Sequence, residues 1–291
     1  MKLLRPLLAI AALALSLVVQ AQEHLVDVIY GHKMGMALTM DVFEPAKANG
    51  IGVLWMVSGG WSSSQSSINP GLAKVFTDRG MTVFEVCHGS QPKFQIPEIL
   101  SDINRAVRFI RHNAATYHVD PMRLGISGGS SGGHLSLMQA VYGGPGDPGA
   151  KDPVDGESSA VEAVACFFPP TDMLNWGKTG GKASDNKLLI DVFGAAFSSN
   201  KNPSAEEMDK MEHDYSPIYG VTAKMPPTFI MHGDKDPLVP LQQSELFMAK
   251  LQELGVPHEL VVKPGGGHSW PDIGNDLPKL ADWFEKYLGK K

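Results

Sequence analysis

Residues 125–135 read Gly125-Ile-Ser-Gly-Gly-Ser-Ser-Gly-Gly-His-Leu135. A short apolar run leads into them, and an apolar, helix-like stretch follows. Within them Gly128-Gly-Ser-Ser-Gly132 fits G-x-S-x-G, a sharp strand-to-helix turn that presents a serine hydroxyl. Glycines let the backbone pack closely around a strained residue, and the helix start behind it offers free N–H groups and the favourable end of a dipole. Gly125-Ile-Ser127-Gly-Gly129 fits the same pattern three residues earlier, so two serines compete for the apex. With Ser127 there, Gly128, Gly129, Gly132 and Gly133 would all fall inside the following helix, at nearly ~1 kcal/mol each. With Ser130 there, residues 123–127 stay a strand and the helix begins near Ser131, so Ser130 is the preferred nucleophile. A phosphate-binding loop would need a lysine that this run lacks.

Outward from this turn, short continuous apolar runs alternate with longer stretches of helical period. The runs are Val53–Val57, Val83–Cys87, Leu124–Ser127, Val164–Phe168, Phe229–Met231 and Leu260–Val262. Such a pattern indicates a parallel sheet covered on both faces, hence an α/β fold. Residues 25–31 and 37–43 alternate apolar and polar and predict an antiparallel strand pair at the sheet edge. The clearest helix is expected over Pro97–Tyr117. There Ile99, Ile103, Ala106, Val107, Ile110 and Ala114 form one face, and Asp102, Arg105, Arg108 and Arg111 the other. Leu135–Tyr142, Gln242–Leu254 and Leu277–Leu288 are further helices. Residues 143–162 and 173–214 are polar, rich in small residues and weakly periodic.

A serine hydroxyl needs a base within hydrogen-bond reach and a group that orients the base. The acid is sought in His232-Gly-Asp-Lys-Asp-Pro-Leu-Val-Pro240, directly after the run Phe229–Met231. Asp234 and Asp236 both qualify. An aspartate after glycine is commonly a turn former, which weighs against Asp234. Two histidines follow. His258 opens the apolar run His-Glu-Leu-Val-Val and suits a strand, whereas His268 follows Pro264-Gly-Gly-Gly267 on a loop and suits a base. An oxyanion needs donors. Ser131 supplies one backbone N–H, and Val57-Ser-Gly-Gly-Trp61 the others, with Gly59 and Gly60 expected and Trp61 possible. Trp61 and Trp270 flank this site as candidate substrate-binding residues.

The chain has 291 residues and a formal charge of −6, enough for one large α/β domain. No lysine or arginine run is present to track phosphates, so nucleic acid is not an expected partner. No H-E-x-x-H or paired cysteine spacing implies a metal, and no cofactor is implied. Lys2 and Arg5, the apolar stretch Leu7–Val19 and Val19-Gln-Ala21 read as a signal peptide (residues 1–21) cleaved after Ala21, with residues 22–291 as a single mature domain. The apolar stretch is too short for a membrane anchor. A secreted or periplasmic location follows as an expectation. Oligomeric state is not legible.

Together these pieces resemble the secreted α/β-hydrolase esterases, and within them the feruloyl and acetyl esterase-like group, related to hormone-sensitive-lipase-like and prolyl-oligopeptidase-like enzymes. The resemblance is carried by Ala106-Val-Arg-Phe-Ile-Arg111, by residues 128–135 and by residues 232–240. It implies an eight-stranded, mostly parallel sheet in the order 1-2-4-3-5-6-7-8, with helices on both faces. It also implies a lid insertion after strand 6 (residues 173–214) and Ser130, Asp236 and His268 as triad. Thr171 and Asp172 would form a site rim, with Asp172 binding substrate. In that strand order two strands separate Cys87 from Cys166, about 14 Å, too far for a disulfide. One departure stands out: the family shows His-Gly-Gly-Gly-Trp before the first helix, and this chain has Val57 and Ser58 in place of the first two residues. The resemblance implies ester hydrolysis of a small-molecule or polysaccharide-linked substrate. A related peptidase and a non-catalytic binding protein on the same scaffold are the rival readings.

Overall fold

A computed structural model describes residues 23–200 and 202–290. The expected signal segment, residues 1–21, lies outside the described residues. The apolar runs form one eight-stranded sheet. Its strands are β1 (Glu23–Lys33), β2 (Met36–Glu44), β3 (Gly50–Met56), β4 (Thr82–Val86), β5 (Val119–Gly129), β6 (Ala163–Phe167), β7 (Thr228–Gly233) and β8 (His258–Lys263). Their order is β1-β2-β4-β3-β5-β6-β7-β8. β1 and β2 are antiparallel, as are β2 and β4, and every other pairing is parallel. This is the expected strand order, and β1 with β2 makes the expected antiparallel edge.

Helices cover both faces, because central parallel strands apolar on both sides need cover on both. On one face lie α2 (Ile96–His112), α3 (Ser131–Tyr142) and α6 (Gln242–Glu253), packing Ile99, Ile103, Val107, Leu135, Phe247 and Leu251 against Leu54, Ile126 and Ile230. On the other lie α1 (Pro70–Thr77) and α7 (Leu277–Leu288), with Phe76, Leu280, Trp283 and Phe284 against Val53, Val83, Ala165 and Phe229. Between β6 and β7 the chain carries two further helices, α4 (Lys187–Phe197) and α5 (Ala205–Asp214). No helix among the described residues is long and apolar enough to cross a membrane.

One expectation about α2 needs correcting. The helix stops at His112, not Tyr117. Asn113 leaves helical geometry, its side chain donates to the Phe109 carbonyl, and His118 turns left-handed at φ 56°. Asp102 and Arg111, expected opposite the apolar face of this helix, are buried. Lys33 donates to Asp102 at 2.7 Å, and Arg111 bonds the Pro121 and Ala160 carbonyls and Glu162. Both charges sit inside because each finds its partners there. Cys87 and Cys166 are free, buried, and separated by β3 and β5.

Candidate active site

Ser130 stands between β5 and α3 with φ 55° and ψ −121°, a conformation residues with side chains rarely adopt. Backbone contacts hold it there. Its N–H donates to the Phe167 carbonyl at the end of β6 (3.0 Å), and its carbonyl accepts from the His134 N–H (2.9 Å). The flanking glycines are required by space. A Cβ on Gly128 would lie 2.6 Å from the Gly132 carbonyl carbon, and one on Gly132 would lie 2.8 Å from the Met56 oxygen. Ser127, the competing serine, is sealed inside β5, and its hydroxyl meets no partner among the described residues.

His268 follows β8 on the loop that starts at Pro264. Its Nε2 lies 2.8 Å from Ser130 Oγ and its Nδ1 2.8 Å from Asp236 Oδ2. A carboxylate only accepts, so Nδ1 carries the proton and donates, which leaves Nε2 as acceptor for the serine hydroxyl. Asp236 lies just after β7, with its side chain fully enclosed. Its Oδ1 accepts the Leu238 and Val239 amides at 2.9 Å each. Burial alone would push this carboxyl up. Hydrogen bonds from His232, His268 and the Val239 amide outweigh burial and hold it well below the usual carboxylate range. Asp234 does not reach the histidine ring. It accepts the Gly265 N–H at 2.7 Å and so ties down the loop that carries His268. His258 stays in β8 with its Nδ1 against the Val256 carbonyl.

Around Ser130 the surface divides in two. On one side is a narrow apolar pocket lined by Trp61, Met173, Leu189, Ile190, Phe193 and Phe197 among others. On the other is an open groove bordered by Trp55, Ser58, Ser62, Ser67, Phe168 and His268. Gly60, Ser130, Phe193 and Leu238 border both.

The turn at residues 57–62 corrects one expected donor. The Gly59 N–H donates to the Ser62 carbonyl at 2.9 Å, and the Ser62 N–H returns to Gly59 at 3.0 Å. The Gly59 amide is therefore occupied by a two-residue bridge. The amides of Gly60 and Trp61 meet no acceptor among the described residues, and neither does the Ser131 N–H at the start of α3. Gly60 must be glycine: its φ is 55°, and a Cβ there would come within 2.3 Å of the Phe193 ring.

Residues 40–251 match the family model described as BD-FAE. The chain belongs to the BD-FAE family. Esterase LipQ of Mycobacterium tuberculosis is 28% identical over 60% of this chain and 39% of its own length. The probable carboxylic ester hydrolase LipM of the same organism is 26% identical over 78% of this chain and 52% of its own. This chain thus spans about half the length, or less, of these curated relatives. A truncated form of a carbohydrate esterase from gut microbiota superposes with a TM-score of 0.79 at 25% identity, covering 94% of this chain and 99% of that one. The sequence resemblance to α/β-hydrolase esterases holds.

Two proposed substrate-binding residues sit elsewhere. Trp270 is buried against Phe167 and Phe168, and its Nε1 donates to Asp276 at 2.8 Å. It is core packing and borders neither cavity at Ser130. Asp172 is also buried. Its carboxylate accepts from the Leu174 amide, Asn175 and the Tyr219 hydroxyl, so it fastens the loop after β6 and does not face the pocket. Trp61 does line the apolar pocket, and its indole is fixed as well: Nε1 donates to His134 Nδ1 at 3.1 Å.

Sequence reasoning missed two histidines. His134, one turn into α3 from Ser130, is sealed in the core, and its Nε2 donates to the Tyr215 carbonyl at 2.7 Å. Burial lowers its pKa to about 4, which keeps Nδ1 free to accept from Trp61. His232, at the end of β7, has Nε2 at 2.8 Å from the Val239 carbonyl and 3.3 Å from Asp236 Oδ2. The Ser244 hydroxyl donates to its Nδ1 at 2.7 Å. The only sequence signal for either was a histidine adjoining a motif.

Proposed function

We propose that the protein is a serine carboxylesterase that works through an acyl-enzyme, with Ser130, His268 and Asp236 as its triad. The observation that carries this reading is the unbroken hydrogen-bonded line from Ser130 Oγ through both nitrogens of His268 to Asp236, each link 2.8 Å. In the first half-reaction Ser130 Oγ attacks the ester carbonyl carbon while its proton passes to His268 Nε2. The negative charge that develops on the carbonyl oxygen is met by the N–H groups of Ser131, Gly60 and Trp61. Collapse of this intermediate breaks the bond to the alcohol, which leaves with the proton from His268. Water then repeats the sequence on the acyl-serine and releases the acid. Asp236 stays ionised throughout, holds the tautomer and stabilises the imidazolium.

The two cavities suggest which part of the ester lies where. The acyl group enters the apolar pocket, and residues 173–214 act as its lid through the inward side chains of α4. The alcohol lies in the groove on the His268 side, where Trp55 and three serines offer an aromatic face and hydroxyls to a polyhydroxylated alcohol. Acetyl or feruloyl esters of polysaccharides fit that division, and the likeness to a carbohydrate esterase supports it. The N-terminal segment favours a secreted or periplasmic site of action.

The test is hydrolysis of nitrophenyl acetate, butyrate and octanoate and of methyl ferulate, with Ser130→Ala alongside. Activity on the short or feruloyl esters is expected, with kcat lower by at least ~10³ in the variant. Wild-type activity that survives in folded Ser130→Ala would refute the assignment.

A further inference from the structure

The turn that carries the free Gly60 and Trp61 amides has two of its carbonyls, those of Gly60 and Trp61, held from outside it. We propose that Gln91, from the loop between β4 and α2, is the positioning residue for the oxyanion donors. The inference rests on the esterase reading above. Gln91 contacts the turn twice. Its backbone N–H donates to the Trp61 carbonyl at 3.2 Å, and its side-chain Nε2 donates to the Gly60 carbonyl at 2.8 Å.

The geometry of a trans peptide turns those contacts into a direction for the donors. Within one peptide unit the C=O and the next N–H point opposite ways. Gly60 C=O and Trp61 N–H share a unit. With the Gly60 carbonyl held toward Gln91, the Trp61 N–H must point away from it. The neighbouring unit is held by a different bond: Ser62 N–H takes the Gly59 carbonyl, so the Gly60 N–H faces the other way. Gly60 and Trp61 both have positive φ, 55° and 57°, and Trp61 is not a residue that adopts this region without support. If the Gly60–Trp61 peptide flipped, the carbonyl would replace the Trp61 N–H as the group facing the site. A lone pair would then meet the developing negative charge.

Chemistry also settles the orientation of the Gln91 amide. Nε2 has two protons and two acceptors, the Gly60 carbonyl and the Val192 carbonyl of α4 at 3.2 Å. An oxygen at that position would face two carbonyl oxygens. Gln91→Glu, close in shape, should therefore push on the Gly60 carbonyl. Gln91→Met keeps the length and removes the donor, and Gln91→Asn keeps the amide but falls one methylene short.

The experiment measures kcat and KM for nitrophenyl acetate in the three variants, counting active sites with a fluorophosphonate so that unfolded protein does not enter kcat. The inhibition constant of a trifluoromethyl ketone, which forms a tetrahedral oxyanion adduct on the serine, is measured beside it. Expected is a roughly 10- to 100-fold fall in kcat with KM within about threefold, Glu being worst, and loss of ketone affinity by the same factor as kcat/KM. A purely structural role would lower the count of active sites and leave kcat per site and ketone affinity alone. That result, or unchanged kcat in Gln91→Met, overturns the inference while the esterase reading stands. A wild-type protein with no Ser130-dependent ester hydrolysis would instead overturn the reading on which it rests.

Discussion

At the scale of single residues, Glu85 shows how far burial can move the pKa of a carboxyl group. It lies in β4, almost fully enclosed, with Oε2 accepting the Asn69 N–H at 2.7 Å and Oε1 without a partner among the described residues. Burial raises its pKa most, the Asn69 amide lowers it, and the nearby Asp41 carboxylate raises it again, to about 7. The native state therefore keeps the proton over a range in which the unfolded chain has already released it. The group's contribution to stability is present below pH ~4.5 and is lost as pH rises through about 7. Glu85→Gln, always neutral, should match wild type in thermal melts near pH 4 and exceed it at pH 8 by ~1–3 kcal/mol. An equal difference at both pH values would contradict this account. Nothing in the local sequence Thr82-Val-Phe-Glu-Val86 marks that glutamate as buried, since its surroundings come from β2, β3 and the start of α1. By contrast the strain at Ser130 was legible, because the glycines around it admit few other conformations.

Among the elements, α4 contributes four side chains to the apolar pocket beside Ser130. Asn186 caps it by accepting the Leu188 and Leu189 amides, and Leu189, Ile190, Phe193 and Phe197 point toward the apolar pocket. Leu188 and Val192 on the outer side are exposed. With apolar residues on both sides and Gly194 inside it, the segment has no clean helical period, so sequence reasoning found no helix there. α5 was missed for the opposite reason: it is polar, although its capping box, Ser204 with Glu207, is readable. α1 is only eight residues long and escaped notice, despite Asn69-Pro70 at its start. α2, α6 and α7 were legible because each lays an apolar stripe on the sheet, and α3, enclosed all round over residues 131–139, was legible as the apolar stretch behind the serine turn. Phe193 touches Trp61 edge-on at 6.0 Å between centroids and roofs the pocket beside Gly60. Phe193→Ala should lengthen the acyl slot. The ratio of kcat/KM for nitrophenyl butyrate over acetate is expected to rise about tenfold. A ratio that stays at the wild-type value would mean that the acyl chain does not enter this pocket.

For the whole molecule, the strand order carries two consequences. One concerns the thiols. β3 and β5 stand between the strands of Cys87 and Cys166, both are enclosed, and burial raises the Cys87 thiol to about 11 and Cys166 further. Folded protein should react with neither equivalent of a thiol reagent at pH 8 within minutes, and reductant should leave the melting temperature unchanged. Prompt labelling, or a melting temperature that falls on reduction, would count against the enclosed, unbridged arrangement. The other consequence is the site itself. Ser130, Asp236 and His268 follow β5, β7 and β8 in turn, and parallel connections bring the ends of those strands to one sheet edge. The sequence by itself determined the alternation of strands and helices, the serine turn, and the order of acid and base. Each of these is a local pattern of period, glycine placement or turn chemistry that acts over a few residues. Only the tertiary structure decided that Gly59 is occupied while Gly60 and Trp61 are free. Only it decided that Trp270 and Asp172 pack or brace instead of lining the pocket, and that His134, His232 and Gln91 stand behind the site. Some of those outcomes turn on bonds between distant residues, as Gln91 with Gly60 and His134 with Trp61 and Tyr215, which leave no trace in the spacing of the chain. Others, as Gly59 with Ser62 and Trp270 with Asp276, are near neighbours whose pairing depends on how the folded loops bring their polar groups together.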